Sequence, residues 1–193
     1  MSQQPNAKTK ILIAEDEAII RLDLKEMLEE EGFDVVGEAA DGDAAIRLAR
    51  ERDPDLVIMD VKMPGMDGLT AAEKITEDEL SAVLILTAFS QKDLVRRAAE
   101  AGAIGYLVKP FQKSDLMPAI DIALARHAQL RAVKQEAKGL ADQLETRKVV
   151  DRAKGRLMDS QGMSEGDAFR HLQKRAMDER RSMRDIAADV LGS

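Results

Sequence analysis

Four consecutive apolar residues, Leu56 to Met59, run directly into the carboxylate of Asp60 and then into a turn at Pro64 and Gly65. An apolar run without alternation is typical of a strand buried on both faces, as in a parallel sheet covered by helices. Asp60 falls where this strand gives way to a loop, at its carboxyl end. Open α/β sheets bind ligands at that edge, so Asp60 is a candidate turn former, metal ligand or nucleophile.

The same pattern recurs over residues 10–108, where short apolar runs alternate with segments of helical periodicity. The predicted strands are Lys10–Ala14, Phe33–Gly37, the run from Leu56, Ala82–Thr87 and Gly105–Val108. The predicted helices run from Ala18 to the stop signal at Gly32, from Asp41 to before Pro54, from Gly68 to about Ile75, and from Gln91 to Ala101. Five strands alternating with helices predict a doubly wound, five-stranded parallel sheet of the flavodoxin-like class.

The pattern changes after Ser114, a candidate N-cap, because no strand signals follow it. The segment from Leu116 to about Leu144 is rich in Ala, Leu, Arg and Lys, which predicts one long helix. Its apolar residues step by three and four, as in a coiled-coil seam. The seam residues are Leu130, Val133, Ala137, Leu140 and Leu144. Because the seam covers barely two heptads, a short coiled coil and a stripe packed on the next domain both stay open.

Residues 146–193 predict a small all-α domain of three short helices. The first carries Val150, Ala153 and Leu157 and breaks near Ser160, Gln161 and Gly162. The second starts at the capping residue Ser164 and directs Ala168, Phe169, Leu172 and Ala176 inward, and the third carries Met183, Ile186, Ala187, Val190 and Leu191. Since so short a segment buries little apolar surface, we expect its stability to depend on the preceding helix or on a partner chain.

Charge is distributed unevenly in this chain of net charge -7. Residues 1–145 hold 18 Lys and Arg against 28 Asp and Glu, whereas residues 146–193 hold 11 against 8. The basic tail suggests a polyanion partner, although a solvated Arg-rich helix face fits equally well. Cysteine is absent, which excludes disulfides and thiolate metal sites. The polar start and the lack of a membrane-length apolar segment predict a cytoplasmic protein with no membrane partner.

Polar residues stand at the carboxyl ends of four of the five predicted strands, and these ends share one edge of a parallel sheet. The residues are Glu15 and Asp16, Asp60, Thr87, and Lys109. Three crowded carboxylates repel one another unless a cation lies among them, and all-oxygen ligation favours Mg²⁺ over Zn²⁺. A carboxylate beside Mg²⁺, an ammonium and a hydroxyl donor is what phosphoryl transfer to an aspartate needs. The alternative is a Mg²⁺ or salt-bridge site without a covalent step.

Four segments, Ala14–Glu17, Val57–Pro64, Leu86–Ala88 and Tyr106–Pro110, carry a resemblance to a known family. Through them, residues 9–125 resemble the receiver domain of two-component response regulators, which sensor histidine kinases phosphorylate. The resemblance covers the whole predicted sheet. It implies a regulator and not a stand-alone enzyme, because a receiver site turns over only its own phosphoryl group.

The resemblance also implies roles for individual residues. Asp60 would be the phosphoacceptor, and Glu15, Asp16, Asp60 and the backbone carbonyl of Lys62 would hold Mg²⁺. Thr87 and Lys109 would contact the phosphoryl group, and Tyr106 would be the aromatic residue that changes rotamer as Thr87 moves. The Lys109-Pro110 peptide bond is expected to be cis. Glu15 departs from the family pattern, since many receivers have Asp there, and its extra methylene affects the metal geometry.

The tail carries a second resemblance through Arg152–Met158, Gly162–Glu165, Ala168 and Phe169, Leu172, and Arg175–Met177. Residues 146–193 resemble the ANTAR RNA-binding domain of transcription antitermination regulators, with residues 126–145 as a helical linker and possible short coiled coil. The resemblance implies that phosphorylation controls binding to RNA hairpin loops in leader transcripts, with a homodimer as the phosphorylated form.

Individual RNA contacts follow less directly from the sequence. Lys154, Gly155, Arg156 and Arg175 are the candidates, because RNA binding needs cationic side chains and close backbone approach. Phe169 is the only aromatic residue of the tail and is predicted to lie in the core.

Two other functions stay open for the tail. The first is a DNA-binding response regulator, because three short helices can form a helix-turn-helix, although the turn at residues 160–163 is longer than that motif requires. The second is a phosphorylation-dependent protein-interaction relay, in which the tail only docks on a partner.

Overall fold

The computed structural model describes residues 8–88 and 92–192, and its secondary structure follows the predicted order closely. The strands are β1 Lys10–Ala14, β2 Asp34–Ala39, β3 Leu56–Asp60, β4 Ala82–Thr87 and β5 Gly105–Val108. The helices are α1 Ala18–Glu30, α2 Gly42–Arg52, α3 Gly68–Glu77, α4 Lys92–Glu100, α5 Lys113–Gln161, α6 Glu165–Glu179 and α7 Met183–Gly192. Gln91, the predicted start of α4, lies outside the described residues.

The five strands form one parallel sheet in the order β2-β1-β3-β4-β5, which confirms the predicted doubly wound class. The bounds predicted for β1, β4 and β5 and the start of β3 are confirmed, whereas β2 begins one residue later than predicted and ends two residues later. Every residue of β3 and β4 is buried. Their unbroken apolar runs therefore have the predicted cause, because helices cover both faces of the sheet.

Alternate strand residues point into two cores, one on each face of the sheet. Val57 and Ile85 pack with α2, α3 and α4, whereas Ile58 and Leu84 pack with α1 and the first turns of α5. Each helix contributes small or aliphatic residues at helical spacing, as its sequence pattern predicts. The result is a rigid three-layer scaffold whose strand ends are fixed in space.

The start of helix α5 differs from the prediction. The helix begins at Lys113, so Ser114 is in its first turn and is not the N-cap. The Asp115 carboxylate accepts a hydrogen bond of 2.9 Å from the backbone N–H of Gln112 instead. The acidic residue at the third helical position thus reaches back to the backbone N–H of the residue before the helix, as one half of a capping box.

Helix α5 is also longer than predicted, because it continues to Gln161 and joins the expected linker helix to the first helix of the tail. Gly139 and Gly155 stay helical, and the next glycine after them, Gly162, has a left-handed backbone with φ 66°. The helix therefore ends where the chain adopts the conformation that stops a helix. None of the helices in the two described ranges combines the length and apolarity needed to cross a bilayer.

The chain divides into two compact units, Met1–Leu130 and Arg131–Ser193. In the second unit, the end of α5, α6 and α7 share a small core. Its buried residues are Val150, Ala153, Leu157, Ala168, Leu172, Ile186, Ala187 and Val190. Ser164 caps α6 as predicted, since its hydroxyl oxygen accepts the backbone N–H of Asp167.

Two apolar features of the second half are exposed. Phe169 was predicted to be core, but its side chain is 43% exposed, because the small core is filled by Ala168 and Leu172 of the same helix. The coiled-coil seam is exposed as well, since Leu130, Val133, Leu140 and Leu144 are each more than half accessible. The structure thus leaves the apolar side chains of the seam accessible to solvent.

Candidate functional site

The carboxyl ends of β1, β3, β4 and β5 bring together the four polar groups that the sequence placed there. Glu15 follows β1, donates its backbone N–H to the Ala39 carbonyl at 2.9 Å, and is fully buried. Asp60 is the last residue of β3 and is 6% exposed. Thr87 is the buried last residue of β4. Lys109 follows β5 and donates its backbone N–H to the Thr87 carbonyl at 2.7 Å.

Lys109 joins two of the carboxylates. Its Nζ lies 2.5 Å from Glu15 Oε2 and 3.2 Å from Asp60 Oδ1, although Lys109 and Glu15 are 94 positions apart in the chain. The Lys109-Pro110 peptide bond is cis, as predicted. The site therefore has an ammonium group in contact with both buried carboxylates.

Burial has the largest influence on the pKa values of Glu15, Asp60 and Lys109. It raises the pKa of the Glu15 and Asp60 carboxyl groups, and Lys109 partly opposes the rise for both. Burial acts to lower the pKa of the Lys109 ammonium, but its contacts with Glu15 and Asp60 outweigh burial and raise that pKa. Lys109 is consequently cationic, and the carboxylates are held in an environment that favours a neutralising partner.

A third carboxylate completes an acidic cluster. Glu15, Asp16 and Asp60 each offer an oxygen, and these oxygens lie within 4.8 Å of one another. Asp16 is exposed, so the cluster opens to solvent on that side. Lys62, the fourth predicted ligand through its carbonyl, lies two residues after Asp60 and is exposed. A hard divalent ion such as Mg²⁺ suits this all-oxygen donor set.

Gly68 contributes to this site in a way that the sequence reading missed. It opens helix α3 and donates its backbone N–H to the Val61 carbonyl at 2.9 Å. A Cβ atom at this position would lie 1.8 Å from the backbone oxygen of Asp60. The close approach fixes the backbone beneath Asp60 and requires glycine, but the sequence had indicated only that a helix begins at Gly68.

Arg21 is a second residue that the sequence reading missed. Its guanidinium group donates to the backbone carbonyl of Glu15 at 2.5 Å and to that of Asp16 at 3.4 Å, and it pairs with Glu38 of β2 at 3.4 Å. Arg21 thus holds the acidic loop by its backbone carbonyls and does not occupy the carboxylates of Glu15 and Asp16. Its position on α1 had no signal beyond an ordinary surface arginine.

Tyr106 is not gathered at the acidic cluster. Its side chain is 46% exposed and lines a groove between α4, β5 and α5, together with Val95, Ile122 and Arg126. Because the Tyr106 ring is half exposed and borders this groove, it can change rotamer without disturbing the core.

The predicted RNA-contact residues of the tail are held in different ways. Lys154 Nζ lies 2.8 Å from both Asp151 and Glu165, and Arg175 contacts Glu179 at 2.9 Å and Asp189 at 4.0 Å. Arg156 donates to the Leu191 carbonyl at 2.9 Å. Gly155 has open space where a side chain would be. Two of the four residues are therefore already neutralised by acidic partners.

Two family profiles match the chain. The profile of the response regulator receiver domain matches residues 11–121, and the profile of the ANTAR domain matches residues 138–191. The transcriptional regulatory protein PdtaR of Mycobacterium tuberculosis H37Rv is 54% identical over 182 residues, which cover 94% of this chain and 89% of that protein. The chemotaxis protein CheY of Bacillus subtilis is 40% identical over 116 residues, covering 60% of this chain and 97% of CheY.

Solved structures resemble a little over half of the chain. The receiver domain of NarL from Mycobacterium tuberculosis aligns with a TM-score of 0.59 at 31% identity, covering 61% of this chain and 97% of that domain. The CheX-CheY complex with BeF₃ and Mg²⁺ from Borrelia burgdorferi aligns with a TM-score of 0.56 at 27% identity, covering 58% and 86%.

Proposed function

The chain belongs to the response regulators that join a receiver domain to an ANTAR domain, a family of regulators and not of enzymes, and we propose that phosphorylation of Asp60 switches it. A sensor histidine kinase is the phosphoryl donor, and the output is control of transcription by antitermination. The proposed domains are a receiver at 9–125, a helical linker at 126–145 and an RNA-binding domain at 146–193.

The contact between Lys109 and the buried Asp60 carboxylate, at 3.2 Å, carries this proposal. In the transfer, a bond forms between an Asp60 oxygen and phosphorus while the bond from phosphorus to the kinase histidine nitrogen breaks. The electron pair stays on that nitrogen. The Lys109 ammonium lies where it offsets the negative charge of the phosphoryl oxygens, and burial limits attack by water.

Glu15, Asp16, Asp60 and the Lys62 carbonyl are the proposed ligands of Mg²⁺, which when bound neutralises charge on the phosphoryl group. The donor chemistry of the cluster supports this assignment. A further support is the CheX-CheY complex of Borrelia burgdorferi, which contains BeF₃ and Mg²⁺ on a similar fold.

Thr87 and Tyr106 are proposed to convert the phosphoryl group into a change of surface. Thr87 ends β4 next to the β5 segment that carries Lys109, and the two are joined by a backbone hydrogen bond. A shift of the Thr87 hydroxyl towards the phosphoryl group would alter the space available to Tyr106 in its groove. This change would alter the surface made by α4 and β5.

The proposed target is RNA hairpin loops in leader transcripts, and the phosphorylated protein acts as a homodimer. The exposed seam from Leu130 to Leu144 supports the dimer, since four long apolar side chains stand in solvent. Lys154, Gly155, Arg156 and Arg175 stay the predicted RNA contacts from sequence. Binding of paired hairpins would suit two tails in one assembly.

The phosphoacceptor is tested with a matched pair of aspartates at the two ends of β3. Asp60 ends β3, whereas Asp55 precedes β3 at the opposite edge of the sheet and accepts the backbone N–H of Lys10. With acetyl phosphate and Mg²⁺, we expect Asp60→Asn to abolish the phosphoprotein band on a phosphate-affinity gel and Asp55→Asn to retain it. Labelling that persists in Asp60→Asn would contradict the assignment.

RNA binding is tested by mobility shift of a leader RNA with two hairpins, using the full chain with and without acetyl phosphate. We expect a shift that depends on phosphorylation and that hairpin RNA competes away better than duplex DNA. Better competition by DNA would favour a DNA-binding regulator, the function that three short helices also permit.

A further inference from the structure

Helix α6 has an exposed face on which apolar and cationic side chains lie next to each other. Because helical neighbours are three and four residues apart, two adjacent rows form this face. The α6 face consists of Phe169, Gln173 and Met177 in one row and Arg170 and Lys174 in the other, and all five are exposed. Two carboxylates continue these rows at the ends of the helix, Glu165 four residues before Phe169 and Asp178 four residues after Lys174, and Asp167 pairs with Arg170. The face thus combines an aromatic ring, an amide, a thioether and two cations.

Phe169 makes little contribution to the tail core. The inner side of α6 is supplied by Ala168, Leu172 and Ala176, and the ring of Phe169 is 43% exposed beside them. It is the only aromatic residue in residues 146–193. An aromatic ring that is not used for folding is available for stacking with a planar group.

The charges next to the ring differ from those elsewhere in the tail. Lys154 and Arg175 are each bound to two carboxylates, whereas Lys174 has no ion pair within residues 8–88 and 92–192. Arg170 has one partner, Asp167, at 2.7 Å, and its side chain is 74% exposed. Cations that are free or singly paired gain more from a phosphate than cations already neutralised.

We propose that the α6 face binds the single-stranded loop of an RNA hairpin, with Phe169 stacking on an unpaired base. This inference rests on the proposed RNA-binding function and names the part of the tail that performs it. Loop bases are unstacked, so an aromatic side chain can take the place of a neighbouring base, and cations alongside contact the phosphates. Gln173, between Phe169 and Met177, offers both a donor and an acceptor to a base edge.

The test uses the full chain, treated with acetyl phosphate, and a pool of stem-loop RNAs with one stem and a randomised loop. RNAs that the wild-type protein retains are then titrated against Phe169→Leu, which keeps an apolar side chain but removes the ring. Phe169→Trp keeps a ring, and Ile19→Ala removes an exposed apolar side chain from the first unit. Thermal melts by circular dichroism verify that all variants fold.

We expect Phe169→Leu to bind the selected hairpins about 10-fold more weakly, the usual effect of losing one stacked base. Phe169→Trp and Ile19→Ala should bind like the wild type. With 2-aminopurine in the loop, wild-type protein at saturation should quench its fluorescence by stacking, and Phe169→Leu should not.

The possible outcomes separate this inference from the function on which it rests. Wild-type protein that retains no RNA from the pool would overturn both. Retention with equal affinity and equal quenching in Phe169→Leu would overturn the α6 face alone and leave RNA binding in place. Equal loss of affinity for a fully paired duplex of the same stem would also overturn it, because a duplex has no unpaired base to stack.

Discussion

Lys109 and Lys154 allow a direct comparison of the two units of the chain. Each lysine contacts two carboxylates, and each side chain is 14% exposed. The carboxylates of Lys109 are 0% and 9% exposed, whereas those of Lys154 are 53% and 71% exposed. The same chemical arrangement is therefore closed off from water in one unit and surrounded by water in the other.

The two arrangements also have different origins in the chain. Lys109 meets Glu15 across 94 positions because the sheet brings its strand ends together, whereas Lys154 meets acids 3 and 11 positions away. Buried charges depend strongly on their partners, and exposed ion pairs contribute little. Topology therefore builds a reactive site in the first unit, while local helix contacts organise a surface in the second.

The largest expected effect is a loss of stability of the first unit when the backbone packing beneath Asp60 is disturbed. We expect Gly68→Ala to destabilise the first unit by about 4 kcal/mol, because the new Cβ would overlap the Asp60 carbonyl oxygen. Gly139→Ala on the open surface of α5 should instead stabilise the helix by about 1 kcal/mol. Urea unfolding followed by the fluorescence of Tyr106, the only tyrosine in a chain without tryptophan, reports on the first unit, and far-UV circular dichroism measures the change in α5.

Stability of Gly68→Ala within experimental error of the wild type would show that α3 moves away without cost. In that case the phosphorylation assay on Asp60 decides whether the shifted helix still supports the site.

Removing the two lysines compares their environments directly. We expect Lys109→Met to lower the free energy of unfolding by about 3 kcal/mol in EDTA, because it leaves two buried carboxylates without a counter-charge. Excess Mg²⁺ should restore part of this loss by binding the folded state. Lys154→Met should change the urea midpoint of far-UV circular dichroism only slightly. Similar losses for both variants would contradict the distinction between the two sites.

The exposed seam on α5 offers a third comparison, between a face that meets a second chain and a face that meets solvent. We expect Leu140→Glu to abolish the dimer of the phosphorylated protein, because a charge cannot enter an apolar seam without a partner. Gln135→Glu, on the opposite side of the helix, is the matched control. Sedimentation velocity measures both, and a dimer that survives Leu140→Glu would place the interface elsewhere.

The smallest expected effect concerns the salt dependence of RNA binding. Each phosphate contact by a cation contributes about 0.7 to the slope of log affinity against log salt for single-stranded RNA. We expect Lys174→Gln to reduce this slope by about that amount and Lys154→Gln to change it less, because Asp151 and Glu165 already neutralise Lys154. A larger change for Lys154→Gln than for Lys174→Gln would show that Lys154, the residue predicted from sequence, contacts the RNA phosphate.

The fold of the first unit was predictable because the order of strands and helices along the chain determines which strand ends meet. Unbroken apolar runs give the strands, strand alternation gives a parallel sheet, and a parallel sheet places its carboxyl ends at one edge. Glu15, Asp60 and Lys109 therefore meet as expected. The contact between Gly68 and Asp60 was not predictable in this way, since it depends on the distance between a helix start and a strand end.

The second unit was harder to predict because its core is small. A few alanines and leucines fill the space between the helices, and the periodicity that placed Phe169 inward does not tell whether room is left for a ring. The continuity of α5 was missed for a related reason. Gly139 and Gly155 have helix-breaking potential, but helical neighbours on both sides keep them in the helix.

The cluster of Glu15, Asp16, Asp60 and Lys109 also has a consequence for electroneutrality. Its three carboxylates carry three negative charges when ionised, and the one ammonium leaves a surplus that a single divalent cation would cancel. In the proposed reaction, Asp60 exchanges a carboxylate with one negative charge for an acyl phosphate with about two. The transfer therefore leaves an excess negative charge in the cluster. Electrostatic attraction then favours any movement that brings hydrogen-bond donors or cations closer to the phosphoryl group.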